Sequence, residues 1–552
     1  MPVAEPLDAD QQSVSLTSNT QGDAAECTIM PPTRSLTFFN GLAIVIGLQI
    51  GSGIFSTPAS VATLVPNPVL GICIWTFAGL LVWTGAASFA ELAVRCPENG
   101  GMQEYLCHCF GDLYGFLFAC TWILVVKPCS MSMIAMIFAE YLYRGFATEH
   151  ASMSPWLIKV LALLAIVFIT CLNCLGTTKA AKTANIFLVL KLTALGTIVS
   201  LGLLAATGTL KHHSSPANQK SVRNTHLVDK MVSNTTISLQ STPDYLGIVT
   251  DATLAALFAY GGWESVGFVA GEVLDPIYNL PRILNRAMLI IIVLFILTVT
   301  AFYTVLPPKT MQSTNALASA FGAELGGRAG AIFYTWMVCL SCLGALNATV
   351  FSAGRLTQAA AIRGFVPLSV TQKWGLDTSG VSDQARLSTL VQKIIQLPRL
   401  LGLYKDHNVP IKAMLLNGFI AAVFVLLGSF RGLLSFKGKA IHSGTGRALA
   451  IAKLNEVGMA EYTIYFATVC GLVKIRWGSR LSQIDLGNGS YRTHILNPLI
   501  FSGASGLIVI QSVLSHWSGA LFMCCFFATG TVVYKSSWWQ LLDTRNQADA
   551  VP

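Results

Sequence analysis

Twelve apolar stretches recur along the 552 residues, near 38–64, 68–92, 113–142, 155–175, 184–207, 247–272, 286–306, 328–356, 412–434, 457–477, 495–515 and 517–535. Each reaches the ~20 residues that a helix needs to cross a bilayer; they are numbered spans 1 to 12 in chain order. The pattern predicts an all-α polytopic membrane protein. Composition agrees, with 53% of residues hydrophobic and 11% charged, against about 25% charged in a soluble domain. The net charge of +9 does not point to nucleic acid, because the lysines and arginines sit mostly in loops, where they set orientation. An even number of spans puts both ends on one side, and the surplus of Lys and Arg on that side makes it the cytosol. The expected organisation is a disordered cytosolic tail over 1–36, a twelve-span body over 37–535 and a cytosolic tail over 536–552.

Span 1 packs Gly47, Gly51, Ser52 and Gly53 into seven residues. This suits a straight helix poorly, since each glycine costs about 1 kcal/mol relative to alanine. Two readings fit such a cluster. Gly47-x-x-x-Gly51 favours close helix packing, and a broken helix is tolerated in hydrocarbon where its freed backbone faces a cavity or a ligand. A second interruption, Tyr260-Gly261-Gly262-Trp263 in span 6, decides for the break. Paired Gly-interrupted spans in two halves of a chain mark the binding site of a secondary transporter.

Fourteen cysteines are present. Cys107-His108-Cys109 and Cys171-x-x-Cys174 lack a second pair at metal-site spacing, so no metal or cofactor is expected. No span carries a nucleophile with a base, which argues against an enzyme. In the outer loop 208–245, Asn234-Thr235-Thr236 is a glycosylation sequon. The outer segment 435–456 adds Lys437, Lys439, Arg447 and Lys453 where positive charge is disfavoured; it reads as a family-specific excursion or as an addition that the fold does not need. In the long cytosolic loop 364–411, Leu387 to Tyr404 fits an interfacial helix or a partly ordered linker.

Several motifs then stand in one order: Gly51-Ser52-Gly53-Ile54-Phe55 in span 1, Glu91-Leu92 followed by Pro97-Glu98-Asn99-Gly100-Gly101 and Tyr105, Lys127-Pro128-Cys129-Ser130 in span 3, Phe258-Ala259-Tyr260-Gly261-Gly262-Trp263 in span 6, and Asn279-Leu280-Pro281 after it. From about Ser35 to Tyr534 the chain resembles the L-type amino acid transporters of the amino acid–polyamine–organocation superfamily. The resemblance implies the leucine-transporter architecture, two inverted repeats of five helices plus two more, with helices 1 and 6 broken. It also implies amino acid transport. Animal members often bond a single-span glycoprotein through a cysteine in the outer loop after span 3. The loop Gly145 to Pro155 has no cysteine, so no disulfide-linked heavy chain is expected; the partners are the substrate and the bilayer.

For an amino acid zwitterion, Gly51, Ser52 and Gly53 offer N–H donors and a half-helix dipole to the α-carboxylate. Carbonyls of Ile50, Phe258, Ala259 and Gly261, around Tyr260, offer acceptors to the α-ammonium. The side chain would be read by Gln49, Phe258, Trp263, Glu264, Asn347 and Glu461; packing is the other reading of both aromatics. Gln49 stands where the family usually has an apolar residue. Lys191 in span 5 resembles the lysine that replaces a bound sodium in sodium-independent relatives. Lys127, before Pro128, is expected to bind a neighbouring carbonyl and hold a kink. Glu264 and Glu461 would carry a proton or favour a cationic side chain, unless Glu461 only snorkels to water. Neutral amino acids are the expected cargo, with cationic amino acids or polyamines, or a sensor that binds without transport, as rivals.

Overall fold

The computed structural model describes residues 34, 36–146, 155–174, 177–207, 242–314, 316–366, 410–427, 445–482, 491–515 and 517–536. Asn234, both tails apart from residues 34, 36 and 536, most of the loop Gly145 to Pro155, most of 364–411 and the first part of 435–456 lie outside the described residues. In chain order the α-helices are α1 (Phe38–Gln49), α2 (Gly53–Leu64), α3 (Pro68–Arg95), α4 (Met102–Phe110), α5 (Asp112–Thr121), α6 (Lys127–Phe146), α7 (Pro155–Cys174), α8 (Thr177–Ala206), α9 (Thr242–Ala259), α10 (Pro276–Val305), α11 (Pro308–Ser313), α12 (Leu317–Ile362), α13 (Ile411–Leu427), α14 (Thr445–Ser482), α15 (Leu496–Ser515) and α16 (Trp517–Ser536). A π-helical turn, Trp122–Val126, joins α5 to α6, and a 3₁₀ helix, Trp263–Glu272, follows α9. Among the described residues there is no β-strand, only an isolated bridge between Leu36 and Val273.

Among the described residues, eight helical segments are long and apolar enough to cross a membrane, and they carry spans 1 to 5, 7, 8 and 11. The described residues of the other four expected spans lie in α9 and the 3₁₀ segment with the turn between them, α13, α14 and α16. Within the segment 435–456, residues from Thr445 on are helical and run on into span 10 as one element.

Local chemistry fixes the helix starts. Asn67 Oδ1 accepts from the N–H groups of Val69 and Leu70 at 2.9 and 3.3 Å, and Pro68 occupies the first turn of α3, where a missing N–H is harmless. The broken pair lies at the centre of the bundle, with α1 against α8, α10, α12 and the 3₁₀ segment, and α9 against α2 and α3. The motif after span 2 grips span 6. Asn99 Oδ1 accepts from Gly271 N–H at 2.9 Å, and Gly101, at φ 55°, lies against the backbone of Gly267. A side chain at Gly101 would be strained by its φ and would meet Gly267. Glu91 of the same motif is fully buried and accepts from Arg95, Arg476 and the Thr493 N–H.

Candidate functional site

The first break is three residues long. α1 ends at Gln49, Ile50 leaves the helical region with ψ 72°, and α2 starts at Gly53. The first N–H groups of any α-helix lack intrahelical partners. At the head of α2 the Phe55 N–H turns to Ser52 O at 3.2 Å, which leaves those of Gly53 and Ile54, and the Ser52 side chain makes no cap bond. The Gly51 N–H, one of the three expected donors, is already given to Gln49 O at 2.9 Å. Ser341 Oγ, on α12, donates to Ile50 O at 3.2 Å and lies 3.4 Å from Gly51 O. Ile50 O is therefore not a bare acceptor, although a carbonyl keeps a second lone pair. Nothing local to the break in the sequence points to Ser341.

The second break falls after Ala259. Gly262 sits at φ 102°, a conformation that suits glycine, and a Cβ there would stand 3.0 Å from Leu48 Cβ. Phe258 O accepts from the Gly261 N–H at 3.2 Å, whereas the carbonyls of Ala259 and Gly261 accept no turn or side-chain bond among the described residues. The two breaks touch backbone to backbone: a Cβ on Gly53 would lie 2.9 Å from Ala259 Cα. A Cβ on Gly47 would meet nothing within 4 Å, so the Gly47-x-x-x-Gly51 packing motif is not used at its first glycine.

Side chains from neighbouring helices end on these breaks. Gln49, 2% exposed, donates from Nε2 to Tyr260 O at 3.0 Å and lies 3.4 Å from Met288 Sδ on α10. Its Nε2 ties break to break, while its Oε1 is buried with no hydrogen-bond partner among the described residues. Lys191, 1% exposed on α8, donates from Nζ to Gly47 O at 2.5 Å, and Gly344 makes room for it, since a Cβ there would meet Lys191 Cε at 2.8 Å.

Lys127 does not hold a carbonyl. Its Nζ is 2.8 Å from Ser265 Oγ, 3.4 Å from Glu264 Oε1 and 5.0 Å from the centre of the Phe268 ring, all on the 3₁₀ segment of span 6. A π turn adds a residue to the helix, and the one at Trp122–Val126 ends immediately before this lysine. Glu264 is engaged at both oxygens, because Oε2 accepts the Gly262 N–H at 3.0 Å.

The two expected aromatics differ in place. Trp263 is buried, edge-on to Phe89 at 4.7 Å and tilted against Tyr465 at 5.6 Å. Phe258 is 39% exposed at the end of α9. Tyr260 is buried, with its hydroxyl donating to Trp75 O at 3.2 Å. Glu461, partly exposed on α14, is one turn from Tyr465 and within electrostatic reach of Glu264 and Lys127. Asn347 accepts from Asn173 Nδ2 at 2.9 Å. Below the breaks, at the end of the bundle where α1 begins, Leu36 exchanges backbone bonds with Glu272 and Leu274 at 2.8 and 2.9 Å, and Arg355 pairs with Glu272 at 3.2 Å. On α4, burial pushes the thiols of Cys107 and Cys109 up to about 12, so at neutral pH both stay protonated and poor metal ligands.

A chain of membrane-crossing helices with two touching breaks, bare N–H groups at one and open carbonyls at the other is matched by the amino acid permease family model over residues 36–542. The chain belongs to that family. It is similar to mouse (Mus musculus) b(0,+)-type amino acid transporter 1, 26% identical over 92% of this chain and 90% of that protein. It is also similar to rabbit (Oryctolagus cuniculus) large neutral amino acids transporter small subunit 2, 29% identical over 92% of this chain and 81% of that protein. The permease is thus a multi-pass integral membrane protein that transports amino acids, and it is not an enzyme.

Proposed function

We propose that this permease carries neutral L-amino acids by alternating access, without sodium, holding the α-carboxylate at the head of α2 and the α-ammonium at the second break. The observation that carries the reading is the Gly53–Ala259 approach, which brings the bare N–H end of one half-helix beside the open carbonyls of the other. An anion at membrane depth needs several donors and a favourable dipole, and a zwitterion needs acceptors within a few ångströms of them. Lys191 supports sodium independence, because a fixed ammonium already sits on a carbonyl of span 1 at 2.5 Å. The closed contacts of Leu36, Glu272 and Arg355 fit a state shut at the end where α1 begins. Opening that end would require the Arg355–Glu272 pair to part.

On this reading the chain has twelve crossings in a five-plus-five inverted repeat with two added helices, both ends in the cytosol, and works in the plasma membrane. Large neutral side chains suit the open face of Phe258, and the name of the rabbit relative points the same way. Reconstituted vesicles test the proposal. Labelled leucine should accumulate equally in sodium and choline buffers, and a panel of twenty unlabelled amino acids at two pH values should show competition by neutral ones. Saturable binding without accumulation would instead mean a sensor.

A further inference from the structure

We propose that Lys127 is a specificity-determining residue that keeps cationic side chains out of the permease by occupying, from span 3, the carboxylate that such a side chain would engage at the second break. The inference rests on the substrate lying at the two breaks. Glu264 follows Trp263 in the 3₁₀ segment and holds the left-handed Gly262 turn through its Oε2. The acid is therefore part of the break itself, and its charge comes with that structural role. Lys127 and Glu264 are 4% and 7% exposed. A carboxylate buried this far needs a cation or several donors. Its Oε1 takes both Lys127 Nζ at 3.4 Å and Ser265 Oγ at 3.2 Å.

The lysine is fixed in this place from three sides. Ser265 Oγ accepts one of its hydrogens, the Phe268 ring faces its charge, and the π turn ahead of it sets which way α6 presents it. The Tyr465 hydroxyl faces the same carboxylate from α14. Glu461, one turn away, makes no hydrogen bond among the described residues, and Lys127 is the cation it lies near. A guanidinium or ammonium arriving on a substrate would meet the Lys127 charge at the point where it sought Glu264, and like charges repel there. With a neutral donor in place of Lys127, the same carboxylate lacks a counter-ion, and the substrate's own cation becomes the available one.

Lys127→Gln tests this, because an amide still donates to Glu264 and Ser265 but carries no charge. Proteoliposomes would be loaded by uptake of labelled leucine with unlabelled arginine as competitor. Arginine should leave wild type and Lys127→Arg unaffected, and its half-inhibitory concentration in Lys127→Gln should fall by about tenfold or more, the scale of one new charge interaction. Adding Glu264→Gln should reverse most of that gain. Thermal stabilisation of purified Lys127→Gln by arginine reads the same change in a variant that binds but no longer transports. Strong inhibition of wild type by arginine overturns the inference, as does a Lys127→Gln protein that binds leucine and stays indifferent to arginine. Absence of any amino acid uptake by wild type would instead sink the functional reading beneath it.

Discussion

Gly47 and Gly53 look alike in the sequence, and the structure separates them. A methyl group at Gly53 would stand 2.9 Å from Ala259 Cα and 3.2 Å from Ala259 Cβ, whereas one at Gly47 meets nothing within 4 Å. Carbon atoms rest at about 3.5–4.0 Å, so Gly53→Ala forces the two breaks apart by roughly 0.5–1 Å. Overpacking of this size costs about 1–3 kcal/mol, offset by up to ~1 kcal/mol of helix propensity gained over glycine. The effect on binding is larger than the effect on folding. A substrate held by both breaks then loses the fit of a charge-assisted hydrogen bond of about 1.5–3 kcal/mol, which is about tenfold to a hundredfold in affinity. Gly53→Ala should raise the half-saturation concentration for leucine by that factor, and Gly53→Val should abolish uptake. Gly47→Ala should leave both unchanged. The assay is initial-rate uptake, normalised to protein delivered to the membrane. A delivered Gly53→Ala protein with wild-type kinetics would refute the placement of substrate between the breaks.

Replacing Lys191 with methionine leaves Gly47 O buried without its donor, a loss of about 1–3 kcal/mol; uptake should fall with an unchanged competition profile, and wild type should work equally in choline. A strict sodium requirement in wild type would contradict this. Gln49→Leu removes the tie to Tyr260 O and should weaken all substrates alike, so a selective change among side chains would mean that Gln49 touches the substrate after all. Asn234→Gln should abolish the mobility shift that a glycan-removing enzyme produces in wild type; a persistent shift would place another loop outside.

The breaks are legible in the sequence because glycine-rich clusters interrupt apolar spans in both halves of the chain, and the pair decides between a break and the close packing that either cluster alone would also fit. What closes on them is not. Ser341 lies about 290 residues from the carbonyls it caps, and the Lys127–Glu264 pair joins positions 137 apart; a single sequence holds no record of such distances. The π turn at Trp122–Val126 has no composition of its own, so the direction in which Lys127 points cannot be read from it. Gln49, Lys127 and Glu264 stand out as chemically unusual residues for a span, and their polarity is used within the protein. Trp263 and Phe258 are indistinguishable as apolar aromatics until packing buries one and leaves the other open.

The ties have a common logic that bears on how the site works. Gln49, Ser341 and Lys191 each donate to backbone in or beside a break, and Lys127 neutralises the acid that orders the second one. Broken helices are expensive in hydrocarbon because each unsatisfied carbonyl or N–H costs several kcal/mol. Here the protein satisfies the carbonyls of Gly47, Ile50 and Tyr260 with side-chain donors and leaves open the N–H groups of Gly53 and Ile54 and the carbonyls of Ala259 and Gly261. The unsatisfied set has both donors and acceptors and so matches the two poles of a zwitterion. A site ordered by its own side chains before substrate arrives loses little entropy on binding. On the proposed reading, recognition of the α-carbon groups falls to backbone, and discrimination among amino acids falls to Phe258 and the Lys127–Glu264–Glu461 set beside it.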